Sequence, residues 1–285
     1  MKLGIDSYCY HRYFGDAYTF QSKLDVLWSM EDFIKRAVEL KVDGVSLESC
    51  YFPSFERDYL LRIRGMLDEA RLDRVWAWGH PEGLKVGKSL RAAKELERHF
   101  EYAKALGASV MRIVGGSSRT RDESHKPQIR RLSLILKEMA KVASSYNIVM
   151  AIENHIDFTS DEIVEILSNV DSPYLRVNLD TGNSIRMFED ALEAARKLAP
   201  YTEATHIKDL SVGKGSPREF AFWPSVPLGK GIIDIAAIVS MLKDAGYSGL
   251  FCVEIDYLKE GYGDEDKGVE ESIEYLRGLA TPHPG

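Results

Sequence analysis

Short apolar runs alternate with longer segments of helical periodicity along the whole chain. The runs are rich in β-branched and other apolar residues, as buried strands are. They cover 3–6, 44–48, 74–78, 110–114, 148–153, 175–180, 204–208 and 250–255. Strands that alternate with helices favour a parallel sheet with right-handed connections.

The segments between these runs repeat their apolar residues every three or four positions, as amphipathic helices do. In the first segment, Phe33, Ala37 and Leu40 fall on one face. Gly107 follows the third segment, where a left-handed cap favours glycine, and Thr159 precedes the fifth as a helix N-cap. The predicted helices cover 30–40, 55–70, 90–106, 128–146, 160–169, 184–198, 233–245 and 269–279.

Eight strand–helix units account for most of the 285 residues, a length close to the roughly 250 residues of a typical (β/α)₈ barrel. We therefore predict an α/β fold, a (β/α)₈ TIM barrel, as a single domain over 1–285. A doubly wound open sheet is the alternative, but no Gly-x-Gly-x-x-Gly follows any predicted strand. The longest irregular segments, 7–29 and 209–231, are predicted to be βα loops that act as lids or subunit contacts.

Composition narrows the function. The net charge of −7 disfavours binding to a phosphate backbone, so no nucleic-acid partner is expected. No apolar stretch approaches the roughly 20 residues of a membrane span, and Asp6 interrupts the apolar start of the chain, so neither a membrane partner nor a signal peptide is expected. Three widely spaced cysteines without a Cys-x-x-Cys motif are typical of a reduced, cytoplasmic protein.

Polar residues stand at the carboxyl ends of the predicted strands, where the active sites of (β/α)₈ barrels lie. Glu153, Asp180, His206 and Glu254 end four consecutive strands in the second half of the chain. Any one of them alone is as easily a cap or a surface group. Three converging carboxylates repel one another unless a cation offsets their charge, and three oxygen donors with one imidazole suit Mn²⁺, Mg²⁺ or Co²⁺. The set therefore predicts a site for one divalent metal ion.

The motifs around these residues resemble those of the xylose isomerase-like TIM-barrel superfamily. They are Ile-Glu-Asn-His at 152–155, Asn-Leu-Asp-Thr-Gly-Asn at 178–183, His-Ile-Lys-Asp at 206–209, Val-Pro-Leu-Gly-Lys-Gly-Ile-Ile-Asp at 226–234 and Cys-Val-Glu-Ile at 252–255. Within that superfamily the chain is similar to the sugar phosphate isomerase/epimerase group, which includes ketose 3-epimerases and hydroxypyruvate isomerases. The resemblance is strongest from about residue 148 to residue 256.

The resemblance implies that Glu153, Asp180, His206 and Glu254 hold one divalent ion. It also implies that Glu153 and Glu254 are catalytic, since they match the proton-transfer pair of the 3-epimerases. The implied function is a metal-dependent isomerase or epimerase of a small sugar or keto-sugar, acting through a metal-stabilised enediolate. Gly115-Gly116 is more simply a turn than a phosphate cradle, so a non-phosphorylated substrate is expected.

The chain departs from the 3-epimerase pattern at three positions. Asn183 stands where those enzymes carry a histidine, and Arg218 is the nearest candidate for the arginine that follows their seventh-strand histidine. Lys208 shares a strand face with His206 and is a candidate catalytic acid, with a salt bridge to Asp209 or a neighbouring strand as the structural alternative. These departures leave open a lyase, which would be a decarboxylase, dehydratase or β-eliminase acting on a keto-sugar or sugar acid.

Three further residues are candidates for substrate binding. Glu48 ends the second strand and can accept a hydrogen bond from a sugar hydroxyl, and His155 contacts either substrate or the core. His11 lies in an aromatic first loop that walls a sugar pocket or contacts a second subunit, so a homo-oligomer remains open.

The sequence disfavours two functions outside sugar isomerisation. An endonuclease IV-like DNA repair enzyme needs a histidine-rich trinuclear zinc site and a basic face, which 7 histidines and a net charge of −7 disfavour. A non-catalytic sugar-binding subunit is disfavoured because all four ligand-type residues are present.

Overall fold

Eight parallel strands form the centre of the molecule in the computed structural model, which describes residues 1–80 and 82–280. The strands in chain order are β1 (Lys2–Asp6), β2 (Gly44–Glu48), β3 (Asp73–Ala77), β4 (Val110–Ile113), β5 (Val149–Glu153), β6 (Leu175–Asp180), β7 (Thr202–His206), β8 (Asp209–Leu210), β9 (Ser225–Val226) and β10 (Leu250–Val253). Strands β8 and β9 form a separate antiparallel pair. The others form one sheet in the order β10-β1-β2-β3-β4-β5-β6-β7. The predicted (β/α)₈ barrel is confirmed.

The sheet closes on itself at a seam between β7 and β10. Ile207 donates its backbone N–H to the carbonyl of Cys252 at 2.6 Å, and Glu254 donates to the carbonyl of Ile207 at 3.0 Å. Nearer the start of the two strands, the hydroxyl of Thr205 donates to the carbonyl of Leu250 at 2.8 Å and accepts from the amide of Cys252 at 3.2 Å. A side chain therefore supplies part of the hydrogen bonding that closes the barrel.

Helices surround the sheet and pack their apolar faces against it. They are α1 (Met30–Glu39), α2 (Arg57–Glu69), α3 (Leu90–Leu106), α4 (His125–Tyr146), α5 (Ser160–Val170), α6 (Asn183–Arg186), α7 (Ala191–Leu198), α8 (Ile235–Asp244) and α9 (Glu265–Ala280). Thr159 caps α5 through a capping box, and Gly107 ends α3 at a φ of 85°. Within residues 1–80 and 82–280, no helix combines the length and the apolar character that a membrane span requires.

The prediction of one helix over 184–198 is wrong, because the chain breaks between α6 and α7. Phe188 adopts a φ of 62°, and the carboxylate of Glu189 turns away to accept from the amide and hydroxyl of Ser160 at 2.8 and 2.6 Å. Asp190 then caps α7 by accepting from the amide of Glu193 at 2.9 Å. These contacts stabilise the break, and they involve a partner 29 residues away that helical periodicity does not reveal.

Small residues fill the interior of the barrel below the strand ends. A cluster of five buried side chains lies there: Val75, Ala151, Ala204, Leu250 and Cys252. A Cβ atom on Gly44 would lie 2.6 Å from Cδ1 of Leu250, so glycine is needed where these side chains cross the lumen. The interior is therefore packed, and open space is left at the carboxyl ends of the strands.

Candidate active site

A cavity of about 450 Å³ opens at the carboxyl end of the barrel. This volume falls within the roughly 300–1,000 Å³ of small-molecule sites. Six of the predicted site residues line it: Glu48, Glu153, His155, Asn183, Lys208 and Glu254. The polar residues predicted at the strand ends are thus brought together, as the parallel arrangement of the strands requires.

Three of the four predicted metal ligands end consecutive strands and point to one spot. Glu153 ends β5, Asp180 ends β6 and His206 ends β7, and one ligand atom from each lies within 4.8 Å of the others. Glu254 directly follows β10, and its Oε2 lies 3.3 Å from Nδ1 of His206. All four side chains are buried, so the whole set adjoins a single buried position.

The donor atoms of this set fit a divalent cation. Oδ2 of Asp180, Oε2 of Glu254 and Nδ1 of His206 are buried, and none has a hydrogen-bond partner within the described residues. A buried polar atom without a hydrogen bond costs roughly 1–3 kcal/mol. Lys208 offsets part of this cost at Asp180 and Glu254, and a cation among the three atoms would satisfy all of them, including Nδ1 of His206. Carboxylate oxygens with one imidazole suit small divalent ions but do not select one of them.

Asp6 lies behind His206 and faces its far nitrogen. Oδ2 of Asp6 is 3.3 Å from Nε2 of His206, an ion-pair contact without hydrogen-bond geometry, while Nδ1 of the same ring faces the carboxylates of Glu153 and Glu254. A carboxylate behind a ligand histidine favours the ligating tautomer when it receives the far N–H. Nδ1 is therefore the nitrogen of His206 that is placed to ligate, and Asp6 is placed to support the ring.

Arg112 on β4 fixes two carboxylates on one side of the cavity. Its Nε donates to Oε2 of Glu153, and its Nη1 donates to Oε1 of Glu48 at 3.2 Å. Nδ2 of Asn183 donates to the other oxygen of Glu153 at 2.9 Å. Although burial acts against its charge, the positive charge of Arg112, followed by that of His206, keeps the pKa of Glu153 below its usual value. Burial raises the pKa of Glu48 to about 7 even beside Arg112.

Lys208 occupies the other side of the cavity and is 2% exposed. Its Nζ donates to both oxygens of Asp256, at 2.7 and 2.9 Å. It also lies 3.0 Å from Oδ2 of Asp180 and 2.8 Å from Oε2 of Glu254, although neither contact has hydrogen-bond geometry. Burial opposes its charge, but Asp180, Asp256 and Glu254 raise the pKa of Lys208 well above its usual value. The amine is therefore a charged proton donor beside two of the predicted metal ligands.

The predicted salt bridge from Lys208 to Asp209 does not form. Asp209 instead accepts backbone N–H groups from Gly229 and Gly231 at 3.0 and 2.8 Å, and so anchors the end of the seventh loop. The carboxylates that Lys208 does contact belong to β6 and to the segment after β10, which agrees with the predicted alternative of a neighbouring strand.

The two long loops meet above the cavity. The ring centroids of Tyr18 in the first loop and Phe220 in the seventh are 5.1 Å apart. The hydroxyls of Tyr8 and Tyr18 lie 2.6 Å apart, and all three side chains line the cavity. The aromatic residues of these loops therefore wall the pocket, which was one of the two roles predicted for them.

His11 and Arg218 do not line the main cavity. Nε2 of His11 lies 2.9 Å from Oε1 of Gln21, and its Nδ1 lies 3.1 Å from the carbonyl of Tyr8, so this buried ring holds the first loop together. Arg218 is exposed and pairs with Asp122 at 3.0 Å. A histidine in an aromatic loop has the same sequence signature whether it faces a substrate or an internal amide. The sequence therefore could not show which of these two roles His11 has.

Several residues of the site were given no role by sequence reasoning. Asp6, Arg112 and Asp256 stand at strand ends, which was the one signal available for them. Arg186 has its guanidinium 2.6 Å from Asp256 and lines the cavity, but it lay inside the predicted helix 184–198. It lies at the end of α6, where its Nη1 also donates to Oδ1 of Asn183 at 3.1 Å.

His155 lines the cavity with Nδ1 buried and without a hydrogen-bond partner in the described part of the chain. Burial lowers the pKa of His155 to about 4. The ring is therefore neutral at physiological pH and offers an acceptor or a donor, but no charge, to a bound molecule.

Comparison with known proteins agrees with this geometry. A family model described as a xylose isomerase-like TIM barrel matches residues 34–279. The 3-oxo-isoapionate decarboxylase of Pectobacterium atrosepticum is 24% identical over 160 residues, which are 56% of this chain and 56% of that protein. An L-ribulose-5-phosphate 3-epimerase of Escherichia coli O157:H7 is 22% identical over 163 residues, 56% of this chain and 54% of that protein. The chain thus spans little more than half the length of these relatives.

Solved structures share the fold over nearly the whole chain. The IolI protein with a bound zinc atom superposes with a TM-score of 0.75 at 17% identity, covering 98% of this chain and 98% of that one. Ketose 3-epimerases are among the other structures with this fold. At this level of identity the likeness shows the barrel and leaves the activity to be argued from the site.

Proposed function

We propose that this chain, which belongs to the xylose isomerase-like TIM-barrel family, is a divalent-metal-dependent isomerase or epimerase of a small sugar or keto-sugar. The observation that carries the proposal is the convergence of Asp180, His206 and Glu254, whose facing donor atoms lack hydrogen-bond partners within the described residues. Of these three residues, Glu254 lines a cavity of about 450 Å³, which Glu153 and Lys208 also line, and this size suits a monosaccharide.

Glu153, Asp180, His206 and Glu254 would hold the ion. When bound, a divalent ion supplies positive charge that stabilises a negative oxygen on an enolised substrate. The protein then has to remove a proton from the carbon next to the carbonyl and return it, which positioned carboxylates do. The charged side chain of Lys208 lies within 3.0 Å of two of these ligands and can stabilise or protonate an oxygen of the same substrate.

A lyase is the second candidate, and the position of Lys208 favours it. In a decarboxylation, the carbon–carbon bond breaks, carbon dioxide leaves, and the electron pair remains on the substrate as an enolate. The Lys208 ammonium can then deliver the proton that completes the product, or it can protonate a departing hydroxyl in a dehydration. The likeness to a protein named as a decarboxylase supports this candidate.

Metal binding is the first test. We expect the protein stripped of metal to bind one equivalent of Mn²⁺ in calorimetric titration. We expect His206→Ala to bind it roughly 10–100-fold more weakly, because the only nitrogen ligand is lost. Unchanged affinity in His206→Ala would remove this residue from the site and with it the proposed metal centre.

The reaction itself is tested by mass spectrometry of keto-sugars and sugar acids incubated in D₂O with the Mn²⁺-loaded protein. Gain of deuterium without any other change of mass is expected for an isomerase or epimerase. Loss of carbon dioxide or water from one member identifies a lyase instead. If neither change occurs with any member, although metal and sugar bind, the protein is a binding subunit and the proposal fails.

A further inference from the structure

The four metal-ligating residues occupy one half of the barrel mouth. They come from β5, β6, β7 and the end of β10, and these strands are contiguous once the sheet closes between β7 and β10. The other half is formed by β1 to β4. Because β2 and β6 are four positions apart in either direction around the closed sheet, their ends face each other across the mouth. Arg112 on β4 joins the two halves, because it donates to Glu48 and to Glu153 at once, so a substrate held beside Glu153 also lies beside the end of β2.

Glu48 is the side chain that β2 places there. It ends the strand, it is 3% exposed, and it lines the cavity. Its backbone is held in place, since its amide donates to the hydroxyl of Ser7 at 2.8 Å. The carboxylate is therefore fixed within the cavity wall.

The two oxygens of Glu48 have different surroundings. Oε1 accepts from Nη1 of Arg112 at 3.2 Å, whereas no residue in the described part of the chain donates a hydrogen bond to Oε2. Oε2 lies against Gly79, where a Cβ atom would be only 2.6 Å from it. The glycine leaves room for this oxygen, so one oxygen anchors the group and the other is available to a bound molecule.

Glu153 differs from Glu48 in this respect. Arg112 donates to one of its oxygens and Asn183 to the other. A carboxylate that accepts hydrogen bonds on both oxygens is a weaker base than one with a free oxygen. Glu153 is therefore suited to holding the ion and poorly suited to removing a proton.

We propose that Glu48, and not Glu153, is the residue that transfers a proton to and from the substrate on the Arg112 side of the cavity, across from Lys208. This inference rests on the proposed function. Glu48 takes the proton from the carbon next to the carbonyl and forms an O–H bond. The electron pair of the broken C–H bond moves to the carbonyl oxygen, and return of the proton to carbon restores the carboxylate.

The protonation behaviour of Glu48 agrees with this role. Its pKa of about 7, which burial causes, lies near physiological pH, where a group is most effective both as base and as acid. Of the other titratable side chains on this half, Tyr8, Asp16, Cys50 and His80 also line the cavity, and Nδ1 of His80 already accepts from the amide of Glu82 at 3.2 Å. His80 is therefore the natural comparison residue.

The test measures deuterium incorporation by the Mn²⁺-loaded full chain, using the keto-sugar that the wild-type protein labels fastest. We expect Glu48→Gln to lower the exchange rate roughly 10²–10⁴-fold, while Mn²⁺ affinity and sugar affinity stay within about threefold of wild type. Glu153→Gln is expected to weaken Mn²⁺ binding instead. Wild-type exchange by Glu48→Gln, or abolition of exchange by His80→Gln alone, would overturn the inference.

Loss of activity through a shifted Arg112 has to be separated from loss of a proton carrier. Glu48→Ala leaves space for formate, and we expect added formate to restore at least tenfold of the lost exchange if Glu48 transfers the proton. Absence of rescue in a folded, Mn²⁺-binding Glu48→Ala protein would make Glu48 a positioning residue only. If the wild-type protein itself exchanges nothing, the proposed function fails before the role of Glu48 is reached.

Discussion

The two sides of the cavity both use a buried cation to hold carboxylates, but they do so differently. On the Arg112 side, which consists of Glu48, Arg112 and Glu153, a planar guanidinium makes hydrogen bonds of fixed direction to two acids. On the Lys208 side, which consists of Asp180, Lys208, Glu254 and Asp256, an ammonium lies among three acids.

The difference between the two sides separates two tasks. Arg112 presents a rigid fork of donors, which suits it to fix the position of its partners. Lys208 hydrogen-bonds Asp256 but approaches Asp180 and Glu254 without hydrogen-bond geometry, which leaves oxygens of those two acids free for a cation. One side therefore positions groups, Glu153 among them, and the other side holds the remaining proposed ligands beside a charged proton donor.

The largest expected effect comes from Glu254. Glu254→Gln removes a ligand oxygen that also faces His206 and Lys208, so we expect turnover to fall at least 10²–10⁴-fold while the barrel stays folded. Steady-state kinetics and circular dichroism measure the two properties. A fully active Glu254→Gln protein would show that the Lys208 side takes no part in the reaction.

Removing the buried basic side chain from each side tests the difference between the two sides directly. Both Lys208→Met and Arg112→Met leave buried carboxylates without a partner, so we expect each to lower the free energy of unfolding by about 3–5 kcal/mol. Saturating Mn²⁺ should recover much of the loss in Lys208→Met, because the ion offsets charge on Asp180 and Glu254, but less of the loss in Arg112→Met, where it offsets charge on Glu153 and not on Glu48.

Urea unfolding with and without Mn²⁺ measures this recovery. Equal recovery in the two variants would mean that the ion does not distinguish the sides. Lys208→Met also separates the candidate reactions, since loss of decarboxylation or dehydration with retained deuterium exchange would assign the lysine to the lyase step.

Acid unfolding can be used to compare the two sides of the cavity once the contribution of His99 to the pH dependence of unfolding is removed. His99 lies among the surrounding helices. Burial lowers the pKa of His99 to about 4, and its Nδ1 accepts from Nε1 of Trp76 at 3.2 Å. Between about pH 6.5 and pH 4 the unfolded chain takes up a proton that the folded chain does not. The free energy of unfolding should therefore fall with falling pH over this window, by up to about 3 kcal/mol.

The matched variant is His99→Gln, which keeps an acceptor for Trp76 and does not titrate. Its free energy of unfolding should depend less on pH between about 6.5 and 4, and the pH dependence that remains belongs to the cavity and the surface. An unchanged slope in His99→Gln would mean that the ring is already protonated in the folded protein.

The smallest effect is expected at Asp6, which supports the Lys208 side through His206. Asp6→Asn keeps the size of the side chain but removes its charge, so we expect Mn²⁺ affinity to fall about 10–100-fold, the usual effect of losing such a support. Calorimetric titration measures it. Wild-type affinity in Asp6→Asn would show that His206 is oriented without help.

Much of this site was predictable because a parallel barrel converts strand ends into neighbours. Glu153, Asp180, His206 and Glu254 needed no knowledge of loops, since each closes an apolar run and the fold brings those ends together. The period of two along a strand also placed Lys208 on the face of His206. The carboxylates that contact Lys208 come from neighbouring strand ends, and the two-residue alternation within one strand does not specify them.

The remaining features depend on contacts between distant parts of the chain. The contact between Arg186 and Asp256 joins residues that are 70 positions apart, and the contact between Glu189 and Ser160 stabilises the break after α6. The position of His11 within the first loop depends on its contact with Gln21. The free oxygen of Glu48 depends on the room that Gly79 leaves for it. Periodicity records neither loop packing nor pairwise distances, so these features required the structure.

The seam between β7 and β10 has a consequence for local opening of the barrel. Two backbone hydrogen bonds at Ile207 and the side chain of Thr205 join the strands there, and His206 and Glu254 lie on opposite sides of the join. An ion bound by both residues would link the two strands across this seam. The amide hydrogens of Ile207 and Glu254 should then exchange with solvent more slowly when the ion is bound, which makes them local reporters of occupancy.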